Sequence, residues 1–144
     1  MTITLTEADI LLDIKIKSHQ QAETIVDPTE RYKVEAGTEK EDDIKQCIKD
    51  AAAEVCAVLR PFLTSYSSLS FTLDVTTRKE TGLQGPLTDA IYAYIVDSAM
   101  AKFYRDVNRP TFAEQHLQHL PTDLAAIESL IYRRTKPTYT TPSD

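Results

Sequence analysis

Residues 67–76, SSLSFTLDVT, alternate with a period of two. Leu69, Phe71, Leu73 and Val75 are apolar, and Ser70, Thr72, Asp74 and Thr76 between them are polar. Successive side chains of a β-strand point to opposite faces, so the pattern predicts a strand with one face buried. Such a strand cannot leave its backbone donors and acceptors unpaired. Yet the rest of the chain reads as helical, so the strand needs a partner that the pattern does not name. Two are open. One is local, a hairpin or the short apolar segment TITL at residues 2–5. The other is an edge on a neighbouring subunit, because an exposed apolar strand invites pairing with another chain.

Around this strand the sequence predicts a mainly α fold, a small bundle of four to five helices with one strand or hairpin segment at about residues 67–78. Thr6 reads as the N-cap of a first helix, TEADILLDIKIK, with Glu7 and Asp9 in the first turn, where the helix dipole favours acids. Residues 18–37 read as a loop interrupted by Pro28, with a helical piece around ERYKVEA that Tyr32 and Val34 tack to the core. Thr38 and Glu41 match a capping box. Behind it Ile44, Cys47, Ile48, Ala51, Ala52, Val55, Val58 and Leu59 recur at three- and four-residue spacing, up to Pro61. After a turn-rich link ending near Gly85, a long helix runs from about Leu87 to Val107, with Ile91, Tyr94, Ile95, Ala99, Met100 and Phe103 on its inner face. It is nearly apolar through 90–96, which places it centrally. A short helix around Phe112, Ala113, Leu117 and Leu120 is stopped by Pro121, and Thr122 and Asp123 restart the chain with Leu124, Ile127, Leu130 and Ile131 as the last apolar stripe. Residues 1–134 form one helical domain on this reading, and 135–144 a flexible C-terminal arm without apolar periodicity.

Charge and cysteines narrow the classes of function. The net charge of −6 resides in residues 1–74, whereas residues 75–144 balance. An acidic chain gains nothing from the release of phosphate counterions, which argues against general DNA binding. Arg105, Arg109, Arg133, Arg134 and Lys136 give the C-terminal part local basic character, suited to solvated helix ends or to contact with an acidic surface. Cys47 and Cys56 on one helix lie roughly 13–14 Å apart along its axis, too far for a disulfide, which fits a reducing, cytosolic compartment. Glu54 and Asp97 break the longest apolar stretches, so no membrane span is expected.

Catalytic arrangements are not found. Three glycines leave no phosphate-binding loop, and no G-x-S-x-G, H-E-x-x-H or Walker sequence is present. His116 and His119 share a helix face at i and i+3, with Glu114 or Asp123 within reach for metal binding, but a pair of exposed polar residues is the simpler reading. The acidic face Glu41, Asp42 and Asp43 is what a helix N-terminus selects without any metal. Tyr92, Tyr94 and Tyr104 read as core and rim packing rather than ligand contacts. The expectation is a protein without enzymatic activity, cofactor or metal.

The order of segments TLTEADILLDIKI, EDDIKQCIKDAAAEV, PLTDAIYAYIVDSAMAKFYRDVNRP and LAAIESLIYRR resembles the small head–tail connector (adaptor) proteins of tailed bacteriophages and prophages. The match covers residues 4–16, 38–63 and 86–134, with 18–37 as an insertion. The resemblance implies a structural subunit of the virion neck, assembled in the host bacterial cytoplasm. About twelve copies would form a ring below the portal protein, around the DNA channel, and dock a stopper or tail protein. DNA would pass without sequence-specific binding. By position, Tyr132, Arg133 and Arg134 fall where the family ends its last helix in a Tyr-Arg pair, and Glu41, Asp42 and Asp43 where its second helix begins. The expected contacts with neighbours are the strand residues Leu69, Phe71, Leu73 and Val75 and the C-terminal residues Tyr132, Arg133, Arg134, Lys136 and Tyr139. The alternative is a free-standing cytosolic helical interaction module, such as a regulatory dimer or an antitoxin-like binder.

Overall fold

The structure, a computed structural model, describes residues 1–34, 37–67, 69–74 and 82–132. In chain order the elements are β1 (Thr2–Thr4), α1 (Glu7–Ala22), α2 (Pro28–Val34), α3 (Glu41–Leu59), β2 (Leu63–Ser67), β3 (Ser70–Leu73), α4 (Gln84–Asp106), α5 (Pro110–Leu117) and α6 (Leu120–Ile131). The mainly α fold expected from the pattern is present, joined by a small antiparallel sheet.

That sheet answers the question of the strand's partner. Its order is β1-β3-β2, so β3 is the central strand and is paired on both sides within the chain. Ile3 faces Phe71 across β1, Tyr66 faces Phe71 across β2, and an irregularity between Leu63 and Ser65 shifts the register of the hairpin. Backbone bonds extend the ladder, with Leu5 N–H on Leu69 O at 2.9 Å and Asp74 N–H on Phe62 O at 2.8 Å. The predicted alternation holds: Leu69, Phe71 and Leu73 are buried and Ser70 and Thr72 partly exposed. The opposite face carries hydroxyl pairs, Thr4 with Ser70 at 3.2 Å among them. The expectation that Leu69, Phe71 and Leu73 contact a neighbouring subunit is therefore corrected. Both local partners are used at once, and all three side chains lie in the chain's own core. Val75 lies outside the described residues.

Residues 18–37 are a loop only in part, and the helical piece expected around ERYKVEA is α2. α1 continues to Ala22, and Pro28 starts a helix instead of interrupting one. The reason is local: Asp27 Oδ1 accepts Thr29 N–H at 3.0 Å, an N-cap bond, and proline suits the first helical position because its missing N–H costs nothing there. Tyr32 does not reach the core; it is exposed and its hydroxyl donates to Glu39. The side chains of Val34 and Thr38 lie outside the described set. The expected capping box is not what begins α3, since a 3-10 turn at Thr38–Lys40 puts Lys40 at the N-cap and Glu41 takes Lys15 from α1. The apolar stripe of α3 is as expected, with Val58 only partly buried.

α4 is the axis. It packs against α1, α3, α5, α6 and β1. Its buried residues include all six expected inner positions and also Leu87, Val96, Ser98, Ala101 and Tyr104. Gln84 and Gly85 extend it one turn ahead of the predicted start. Its end is built by a Schellman arrangement: Asn108 takes φ 60°, its N–H bonds Arg105 O, and Arg109 N–H bonds Tyr104 O at 2.8 Å. Asparagine tolerates this left-handed turn better than most residues. The reversal sends Pro110 into α5, and two residues, Gln118 and His119, then lead into α6. Pro121 does not stop a helix but sits in the first turn of α6.

Phe71 is fully buried at the centre of the sheet. Phe71→Ala should lower unfolding free energy by about 3–5 kcal/mol, the usual cost of emptying an aromatic core position. Urea denaturation of the purified protein measures it, and a loss under 1 kcal/mol would contradict the packing described.

Candidate functional site

Of the C-terminal contact residues expected from sequence, Tyr132 is half exposed with its ring edge-on to Phe62 at 5.3 Å. Arg133, Arg134, Lys136 and Tyr139 lie outside the described residues. The acidic face is divided. Asp42 and Asp43 are exposed, whereas Glu41 is half-buried in its pair with Lys15, whose hydrogen bond and charge hold it below the usual carboxylate range. Of the basic residues, Arg105 is exposed and Arg109 pairs with Glu30, tying α2 to the start of α5.

Two surfaces stand out instead. Leu12 and Ile16 are one turn apart on α1 and are 56% and 47% exposed, with Ala8 exposed one turn before them. They form an apolar stripe on the face opposite the buried Ile10 and Ile14. The second surface is the sheet edge at β2. Among the described residues, no strand pairs with β2 on the side away from β3, and Thr64–Ser67 are exposed. The other edge is partly covered, because Gln84 Nε2 donates to Thr2 O at 2.9 Å. Neither surface was singled out by sequence. An amphipathic pattern marks the inward stripe of α1, and an outward leucine looks like an ordinary surface residue until burial is known.

The interior holds more polar chemistry than the sequence suggested. Tyr92 donates to Asp13, and Tyr94 and Ser98 donate to Glu54 Oε2 at 2.9 Å each, while Lys102 pairs with its other oxygen. Burial works to raise Glu54, but the bonds from Lys102, Ser98 and Tyr94 outweigh it and hold it below the usual range. The Tyr94 hydroxyl is in turn pushed up to about 12, by burial and then by Glu54.

His116 is not the exposed residue expected; only His119 is. The His116 ring is stacked on Tyr104 at 5.7 Å, with Nδ1 3.1 Å from Asp97 Oδ1 and Nε2 3.2 Å from Gln21 Oε1. Tyr104 donates to the same Gln21 oxygen. The signal that could have found this cluster was Asp97, a lone acid inside an apolar helix, which needs a partner if it is buried.

Chemically, none of this resembles a reacting centre. A histidine oriented by an aspartate can serve as a general base, but it needs a nucleophile with a free hydroxyl or thiol. The hydroxyl nearest His116 is Tyr104, which burial pushes well above its usual value and which is already spent on Gln21. A hollow of about 280 Å³ between α3 and α4 is lined by Asp43, Asp50, Lys102, Arg105, Asp106 and Cys47, among others. There burial, then Asp106 and Asp50, pushes the Cys47 thiol up to about 11, so it stays a weak donor to Asp106 and not a thiolate. Among the described residues, no three His, Cys, Asp or Glu side chains are grouped to hold a metal ion, and no helix is long and apolar enough to cross a membrane. The two free surfaces are the candidate site.

Compared with protein-family models, curated proteins and solved structures, the chain matches none.

A depressed Glu54 contributes stability that is present above its unfolded value, near pH 4.3, and lost as pH falls through its lower folded value. Glu54→Gln should cost about 1 kcal/mol at pH 7, a modest figure because the carboxylate is more than a third exposed. Melting curves between about pH 3 and 7 should show the variant's acid loss flattened; a parallel pH profile would exclude this role.

Proposed function

We propose that this protein is a structural subunit of a tailed-phage neck, a head–tail connector that works by assembling into a ring below the portal. The observation that carries the reading is the presence, among the described residues, of two unlike exposed surfaces on one small chain, the Leu12–Ile16 stripe and the β2 edge. A ring is built from head-to-tail contacts in which one patch meets a different patch on the next copy, and it closes when the rotation allows. A single self-complementary patch would give a dimer instead.

Three further features support the reading. The segments that carry the resemblance to connector proteins fall on α1, α3, α4 and α6, in that order. The net charge of −6 suits a channel wall past which DNA slides without being gripped. Tyr94, Ser98 and Lys102 are spent on Glu54, and Tyr104 and His116 on Gln21 and Asp97, as expected of a part that packs and docks instead of turning over a substrate. Partners on this reading are further copies of the chain, the portal protein, and a stopper or tail protein, in the virion neck after assembly in the bacterial cytoplasm.

The test places Asp on the α1 stripe. Leu12→Asp with Ile16→Asp alters exposed positions, so the melting temperature should move by no more than a few degrees. Native mass spectrometry and electron microscopy of the wild-type chain with portal protein should show a ring, and the double variant should leave the chain monomeric beside the portal. Equal assembly by the variant would remove α1 from the interface. A wild-type chain that forms nothing larger than a dimer with portal present would overturn the ring and favour the free-standing module.

A further inference from the structure

Four helices converge on one buried polar cluster: Gln21 from the end of α1, Asp97 and Tyr104 from α4, His116 from α5 and Asp123 from the first turn of α6. The side chains of His116 and Asp97 are 11% and 16% exposed. Both ring nitrogens of His116 face acceptors, Asp97 Oδ1 and Gln21 Oε1, while Gln21 Nε2 is directed to Gln115 Oε1 at 3.2 Å. The ring thus lies against one carboxylate, that of Asp97, and one amide, that of Gln21.

Asp123 is the group left over. Its Oδ2 is buried and, among the described residues, receives no hydrogen bond from an N–H or O–H donor. Its close polar neighbour is the carboxylate of Asp97, and two ionised carboxylates cannot share so dry a site. A proton between them satisfies both. The oxygen without a donor then becomes a hydroxyl, or accepts from one.

We propose that the α5–α6 helix pair is a proton-operated latch, held on α4 by one proton shared between Asp97 and Asp123 and loosened when that proton leaves. Burial, and then Asp97, raise the Asp123 carboxyl to about 7, whereas the His116 bond and charge overcome burial to hold Asp97 low. The group with the raised value stabilises docking fully below its unfolded value, near pH 4, and loses that contribution as pH rises through about 7. Asp97, shifted the other way, contributes above its unfolded value and loses that contribution only in stronger acid. Docking is thus tightest near pH 4 and weakens progressively from there to about pH 7. The remaining groups that face Asp123 do not cancel the effect: Lys17 from α1 favours the ionised form, Tyr94 on α4 is neutral and bonded to Glu54, and His119 beside the cluster is exposed.

The latch would act on whatever the end of α6 touches, independently of whether the chain forms a ring. Hydrogen exchange of the full chain, read by peptide at pH 6 and 8.5 and corrected for intrinsic rates, tests it. Protection of α5–α6 should fall about tenfold at the higher pH relative to α3, since pH 6 lies one unit below the pH at which the docked state gives up a proton that the undocked state has already lost. Asp123→Asn, which can donate from its amide and carries no charge, should abolish the difference. Unchanged protection in the wild-type chain, or a difference that persists in the variant, overturns the latch. Should the variant fail to fold, carbon NMR of the wild-type aspartate carboxyls decides: one must titrate near neutrality, and titration of all of them below about pH 5 overturns the proposal.

Discussion

α4 is enclosed by α1, α3, α5, α6 and β1, and this enclosure is the constraint from which the rest of the structure follows. A helix with one solvated face can turn its polar residues outward. α4 has little such face, and so Tyr94, Asp97, Ser98 and Tyr104 are all half-buried or buried. Each must find a partner inside the protein, because a polar group removed from water without one costs several kcal/mol. The partners come from the surrounding helices: Glu54 on α3, Gln21 on α1, His116 on α5 and Asp123 on α6. The polar network is therefore a consequence of the packing. It also selects which neighbour sits where, since a helix in the wrong place would leave an acid or a hydroxyl unpaired.

The same logic explains what could be read from the sequence. Periodicity is local, and it gave the α3 stripe and the inner face of α4 position by position. It also gave the alternation of Leu69, Phe71 and Leu73. Pairing is not local. β1 and β3 are separated by nearly seventy residues, and nothing in either strand specifies the other. Inferring a missing subunit from a strand without a sequence-adjacent partner overlooked how little of a sheet is needed: three residues on one side and a five-residue hairpin arm on the other. Pro28 and Pro121 were misread for a related reason. A proline both breaks a helix interior and opens a helix, and only the neighbouring cap, here Asp27 for α2, decides which.

Completion of the sheet from within changes where an assembly interface can lie. Burying Leu69, Phe71 and Leu73 uses the apolar face of β3 entirely, so nothing of that strand remains to meet another chain. What remains is the outer edge of β2, which offers backbone groups and hydroxyls, and the α1 stripe, which offers aliphatic side chains. These two surfaces are chemically unlike. A β edge can pair with the same edge of a second copy, whereas two small aliphatic patches set together bury little area. Contact of each with something different uses both.

That difference also separates interior from exterior in functional terms. The groups that could move protons, His116, Asp97 and Asp123, are buried or half-buried between helices. Of the groups on the two exposed surfaces, Leu12 and Ile16 have no acid–base chemistry, and the described β2 edge carries a single phenol, Tyr66, raised by burial and then by Cys56. A catalyst needs these two properties in one place, reactive side chains opening onto a substrate surface. A docking part can keep them apart, with a charged interior that sets how firmly its helices hold together and an inert exterior that sets what it holds. The separation follows from packing a polar-bearing helix against five neighbouring elements.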